Sequence, residues 1–182
     1  MSEMGDMKFT TAGDMMNYSR VNYSRVNNWD NYFMSMAELV ATKSKDRSTK
    51  VGCVIVGPNH EVRTTGYNGF CRGIDDNVDD RHDRPNKYLW TEHAERNAIF
   101  NAARNGIRIE GCTAYTTVFP CADCARSFIQ SGIKRVVTRP ISNQTKIPLE
   151  SYTASMKMFA EVFVPIEMIY GEENVPVQMQ NQ

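Results

Sequence analysis

Cys112-Thr113-Ala114-Tyr115-Thr116-Thr117-Val118-Phe119-Pro120-Cys121-Ala122-Asp123-Cys124-Ala125-Arg126 passes from a β-favouring run into a helical pattern across one proline. The spacing predicts a strand over Cys112–Val118 and a helix over Ala122–Ser131 that Gly132 closes. Upstream, Glu92–Asn105 reads as a helix stopped by Gly106. Downstream come a strand at Arg135–Thr138, a helix at Leu149–Ala160 and a last strand at Val164–Ile169. Towards the N-terminus, Val51–Val56 and Val62–Tyr67 flank the turn Gly57-Pro58-Asn59-His60 and form a hairpin. Before it, Trp29, Tyr32, Phe33, Met36, Leu39 and Val40 recur at helical steps, with Asn28 as the expected N-cap. A hairpin followed by alternating strands and helices implies a mixed sheet with helices on both faces.

The 182 residues suit one domain. Residues 1–27 are polar and methionine-rich, and Tyr-Ser-Arg-Val-Asn occurs there twice, at Tyr18–Asn22 and Tyr23–Asn27. This segment is expected to be a flexible leader, residues 28–171 the catalytic domain and residues 172–182 a polar tail. Basic and acidic residues balance at 21 each. Proteins that track a nucleic-acid backbone carry a basic surplus, so the balance argues against that class. No stretch is apolar enough to span a bilayer, and a soluble, cytoplasmic protein is expected. The five cysteines include a closely spaced pair, which in a reducing compartment points to metal or redox chemistry.

Two short motifs carry the chemistry: His93-Ala94-Glu95 and Pro120-Cys121-Ala122-Asp123-Cys124. Two cysteines three positions apart at a helix start can face one ion, and the helix terminus favours their thiolate forms. His93 supplies a third donor. Three protein ligands leave a tetrahedral position open for water, the pattern of a catalytic zinc (Zn2+). Sulfur and imidazole donors also favour zinc over hard cations. Alone, a C-x-x-C is ambiguous between redox and zinc roles. Combined with an upstream H-x-E, it matches the signature of zinc-dependent base deaminases. Glu95 then has the role of proton shuttle: it takes a proton from the attacking water and passes protons to N3 and the departing amine.

Three blocks resemble deoxycytidylate deaminases: Gly66 to Asp76, beginning Gly66-Tyr67-Asn68-Gly69; Tyr88 to Ile99; and Phe119 to Arg126, continuing through Gly132–Val137. The resemblance spans about residues 28–170. It implies an α/β, three-layer α/β/α domain on a five-stranded mixed sheet, and hydrolysis of dCMP to dUMP for thymidylate synthesis. It further implies a homo-oligomer, commonly a hexamer, with dCTP as activator and dTTP as inhibitor; Mg2+ would accompany such a triphosphate effector. Asn68 matches an asparagine that helps hold the nucleotide. Arg72 is a candidate phosphate contact by its charge and position, or else a partner for the nearby aspartates. The sequence departs from the pattern at Cys71, where relatives usually carry proline, and in Glu161-Val162-Phe163-Val164-Pro165, which lacks an Ala-Gly-Val turn.

Other residues have plainer expectations. Phe119, fixed by the metal-binding turn, should line the pocket floor. Tyr88 and Trp90 either stack on a base or pack in the core. The aspartates between Asp75 and Asp83, interleaved with Arg81, Arg84 and Lys87, read as a solvated salt-bridged loop. His60 and His82 read as exposed bystanders, and Cys53 and Cys112 as buried free thiols. Competing functions are deamination of another cytosine nucleotide or nucleoside (dCTP, CMP, modified dCMP), base editing in RNA or single-stranded DNA, and a non-catalytic zinc module. Editing needs a basic channel, and a non-catalytic module has no use for Glu95.

Overall fold

Branched and aromatic residues at alternate positions build a five-stranded sheet whose two faces take different helices. A computed structural model of the chain describes residues 28–141 and 147–170. The repeated pentapeptide and the polar tail lie outside the described residues. The elements are α1 (Asn28–Ala41), β1 (Gly52–Val56), β2 (Val62–Tyr67), β3 (Gly69–Phe70), α2 (Lys87–Trp90) and β4 (Thr91–Glu92), followed by α3 (Ala94–Arg104), β5 (Thr113–Thr116), α4 (Ala122–Gln130), β6 (Arg135–Thr138), α5 (Leu149–Glu161) and β7 (Ile166–Met168). A 3-10 turn covers Asp79–His82.

The strand order is β2-β1-β5-β6-β7, and β3 and β4 form a separate small ribbon. β1 pairs antiparallel with β2 and β5, whereas β5, β6 and β7 run parallel. The sheet is therefore mixed, as expected. Val54, Val56, Tyr115 and Val137 point to one face, against Phe33, Met34 and Ala37 of α1. Their neighbours Cys53, Ile55, Ala114 and Val136 point to the other, against Ala94 and Ala98 of α3, Phe128 of α4 and Phe159 of α5. This alternation gives one helix on one face and three on the other.

Polar groups also fasten α1 to the sheet. Asp30 is buried and accepts two bonds of 2.8 Å from the Arg135 guanidinium and one of 2.7 Å from the Tyr115 hydroxyl. Arg135 continues to Glu167 at 2.7 and 3.0 Å, so the network ties α1 to β5, β6 and β7. With every member paired, the buried charges are tolerated.

The sequence-based elements need three corrections. The buried face of α1 is built on Phe33, Met34 and Ala37, whereas Trp29, Tyr32 and Leu39 are exposed. The small side of the helix lies towards Gly52, whose Cβ would fall 2.0 Å from the Ala37 carbonyl oxygen. Secondly, Glu92 is not helical: its backbone pairs with Gly69 in the β3–β4 ribbon, and its side chain accepts the His93 N–H at 2.8 Å. Thirdly, the stretch from Gly69 to Lys87, which reads as a polar loop, contains β3 and the 3-10 turn and leads into α2, and its charges reach beyond itself. Lys45 pairs with Asp76 and Arg47 with Asp79. No helix among the described residues is long and apolar enough to cross a membrane.

Candidate active site

Two helix starts converge at one end of the sheet. His93 is the N-cap of α3 and Cys121 the N-cap of α4, both with extended backbones. In this conformation a side chain can turn from its helix axis towards the opposing terminus. Cys124 follows one turn into α4 and is buried. The His93 Nδ1 atom lies 3.5 Å from Cys121 Sγ and 3.4 Å from Cys124 Sγ. One donor atom from each residue falls within 4.8 Å of the others. A tetrahedral ion with sulfur at about 2.3 Å and nitrogen at about 2.0 Å separates such donors by roughly 3.5 Å. The geometry and donor set thus fit zinc.

The electrostatics fit as well. The Cys121 thiol, hydrogen-bonded with Cys124 and beside His93, is brought down to about 4. Contact with Cys121 raises His93 to about 9 against the cost of burial. The same Cys121 contact and burial push the Cys124 thiol well up. A cation entering this cluster would displace shared protons, because imidazole and thiolate ligate in their deprotonated forms. Glu95 is 4% exposed and stands on the first turn of α3. Burial raises its carboxyl above the ordinary range, a direction suited to a group that must both take and give a proton.

Gly66 sets the height of that helix. A Cβ there would meet the Ala94 carbonyl oxygen and the Ala98 nitrogen, each at 2.3 Å, so α3 lies directly on the β2 backbone. Asn97 and Asn101 fasten the helix further by donating to the Tyr67 and Thr65 carbonyls at 2.8 and 2.7 Å.

A cavity of about 300 Å³ opens onto His93 and Glu95. Phe119 lines it, buried and edge-on to Tyr152 at 5.5 Å. Asn68 lines it too, but its amide already has structural partners. Its Oδ1 accepts from the Val51 N–H at 2.7 Å, and its Nδ2 donates to the Thr49 carbonyl at 2.8 Å. Asn68 therefore shapes the 46–51 wall. Arg72 lies outside this cavity: it is exposed, bonds Asn101 and lines a separate cleft with Tyr67 and Phe100. Its guanidinium is held by Asn101, an α3 side chain.

Asp46, Arg84, Lys87 and Arg96 also line the cavity and were not singled out from sequence as site residues. Lys87 is almost buried and donates to Asp46 at 2.5 Å and Ser48 at 2.7 Å. Residues 41 positions apart leave no spacing signal, and both lie in stretches that read as charged surface. Tyr88 is exposed and faces the cavity, whereas Trp90 lies under the Arg81 guanidinium, 4.1 Å from its ring centre. The two histidines expected as bystanders have partners: His60 stacks on Trp29 at 4.5 Å, and His82 bonds the Asp76 carbonyl at 2.7 Å. Cys53 and Cys112 are buried free thiols.

Comparison with known proteins agrees with this geometry. The family model for the cytidine and deoxycytidylate deaminase zinc-binding region matches residues 27–139. The chain is 39% identical over 140 residues to a probable deoxycytidylate deaminase of Caenorhabditis elegans, covering 75% of this chain and 68% of the relative. It is 40% identical over 114 residues to the deoxycytidylate deaminase of Homo sapiens, covering 60% of this chain and 63% of that protein. Among solved structures, the dCMP deaminase of cyanophage S-TIM5 in complex with dCMP and dUMP is similar at a TM-score of 0.63 and 26% identity, over 76% of this chain and 95% of that chain. The matched span contains both helix starts and the strands that carry them, and on this ground the chain belongs to the cytidine and deoxycytidylate deaminase zinc-binding family.

Proposed function

We propose that the protein hydrolyses the exocyclic C–N bond of dCMP, giving dUMP and ammonia for thymidylate synthesis, at the His93–Cys121–Cys124 centre. The observation that carries this reading is the buried Glu95 carboxyl, which lines one cavity with His93, the histidine that clusters with Cys121 and Cys124. The named relatives and the nucleotide-bound neighbour support dCMP as the substrate.

A zinc ion held by His93, Cys121 and Cys124 would supply the Lewis acidity that brings the pKa of the attacking water towards neutrality. Glu95 accepts a proton from the water as its oxygen bonds to C4 and delivers that proton to N3; it then takes the proton of the new C4 hydroxyl and passes it to the amine, so that the C4–N bond breaks, the carbonyl forms and ammonia departs. Phe119 closes the floor against bulk solvent, and Asn68 holds the 46–51 wall against the nucleotide. The balanced charge of the chain and the carboxylates of the cavity favour a free nucleotide over a polynucleotide.

The same reading includes a homo-oligomer, a hexamer by resemblance, activated by dCTP with Mg2+ and inhibited by dTTP. A chromatographic panel of dCMP, CMP, dCTP, cytidine and a cytosine-bearing oligonucleotide, each with and without the two triphosphates, tests substrate and regulation together. The expected result is conversion of dCMP above all others. Preferential conversion of the oligonucleotide would overturn it in favour of base editing.

A further inference from the structure

We infer that Arg84 and Tyr88, at the mouth of the active-site cavity, receive the phosphate of the substrate and set the preference for a nucleotide over a nucleoside. This rests on the proposed deamination of dCMP and assigns the part of the nucleotide that does not react.

Arg84, Lys87 and Arg96 supply the cavity's ammonium and guanidinium groups. Lys87 is engaged by Asp46 at 2.5 Å, and Arg96 by Glu92 at 2.5 Å. Arg84 alone of the three has no carboxylate within ion-pair distance among the described residues. Its side chain is nevertheless oriented: Nε donates to the Tyr88 hydroxyl at 2.8 Å, and Nη2 reaches Ser48 Oγ at 3.5 Å. Anchoring through Nε leaves the outer edge of the guanidinium available. That planar edge matches two phosphate oxygens at once.

Tyr88 completes the pair. Its oxygen accepts from Arg84, so its own hydrogen remains to be donated to a third phosphate oxygen. Both side chains are exposed, whereas Glu95 and Phe119, which line the same cavity, are buried. This polarity fits a nucleotide, with an apolar ring that must reach the floor and a dianion best left near water. A neutral nucleoside would leave the guanidinium without a counter-charge.

The test compares kcat/KM for dCMP and deoxycytidine in zinc-loaded wild type, Arg84→Ala, Arg84→Lys, Tyr88→Phe and Arg72→Ala. Loss of charge-assisted bonds predicts a fall of about tenfold to a hundredfold in the dCMP-to-deoxycytidine ratio for Arg84→Ala, expressed mainly in KM. Arg84→Lys should recover part of that loss, Tyr88→Phe should lose several-fold, and Arg72→Ala should keep the wild-type ratio. If deoxycytidine turnover is too slow to read, dUMP affinity measured calorimetrically replaces the ratio, and Arg84→Ala should weaken it by the same factor. An unchanged ratio or dUMP affinity in Arg84→Ala overturns the inference. A wild-type protein that releases no ammonia from dCMP overturns the functional reading instead, and the dUMP measurement still decides the phosphate site.

Discussion

Asp46 is a carboxylate at a cavity wall, held ionised by its surroundings. Burial works against its charge, but the Lys87 ammonium and the backbone N–H groups of Thr49 and Ser48 outweigh it and bring its pKa from 3.8 to about 2. A carboxyl whose folded pKa lies below its unfolded value stabilises the fold above the unfolded pKa. That contribution is lost as pH falls towards the folded value. The window here runs from about pH 4 down to about pH 2, and the shift corresponds to about 2 kcal/mol. Urea unfolding of wild type and Asp46→Ala at pH 5 and pH 2.5 should show the gap between them shrinking on acidification. A gap of constant size would mean that the Lys87 pair contributes no acid-sensitive stability. The role of Asp46 was invisible in the sequence, where Lys43–Lys50 is simply a charged turn. Its partner arrives from a distant helix, and only the folded chain brings them together.

At the level of elements, the catalytic chemistry depends on how closely α3 lies on β2. His93 and Glu95 have their positions because Gly66 lets the helix backbone touch the strand. Gly66→Ala should therefore lift the helix start, at a stability cost of about 1–3 kcal/mol for overpacking. A displacement near 1 Å costs reacting groups roughly a hundredfold in rate, so kcat should fall more than stability alone explains. Thermal unfolding together with kcat on the folded fraction checks this; wild-type kcat in a merely destabilised variant would sink it. The helix starts themselves were legible, because proline, cysteine spacing and the break in period mark them in the sequence. The start of α3 was misplaced at Glu92, since a ribbon with Gly69 captures that residue, and such pairing has no local signal. Likewise α1 presents Phe33, Met34 and Ala37 to the sheet and leaves Trp29 and Tyr32 exposed, because the close approach of its backbone at Ala37 to Gly52 fixes which side of the helix faces inward.

For the whole molecule, the mixed sheet brings two distant segments to one end, where an ion site forms beside a buried carboxylate. The mixed sheet with helices on both faces followed from the alternation of elements, and the three donors from motif spacing; the strand order emerged only in the fold. The phosphate end of the cavity did not follow from the sequence, because Arg72 follows Asn68 in the chain yet lines a separate cleft, while Arg84 and Tyr88 line the cavity from a stretch that reads as a salt-bridged loop. The central claim is that Glu95 moves the protons in a hydrolytic deamination. Its most direct test is the rate of dUMP formation from dCMP by Glu95→Gln, measured at the same zinc content per chain as wild type. The account predicts that the variant keeps its zinc and loses at least about a hundredfold in turnover. A zinc-loaded variant with turnover close to wild type would contradict it.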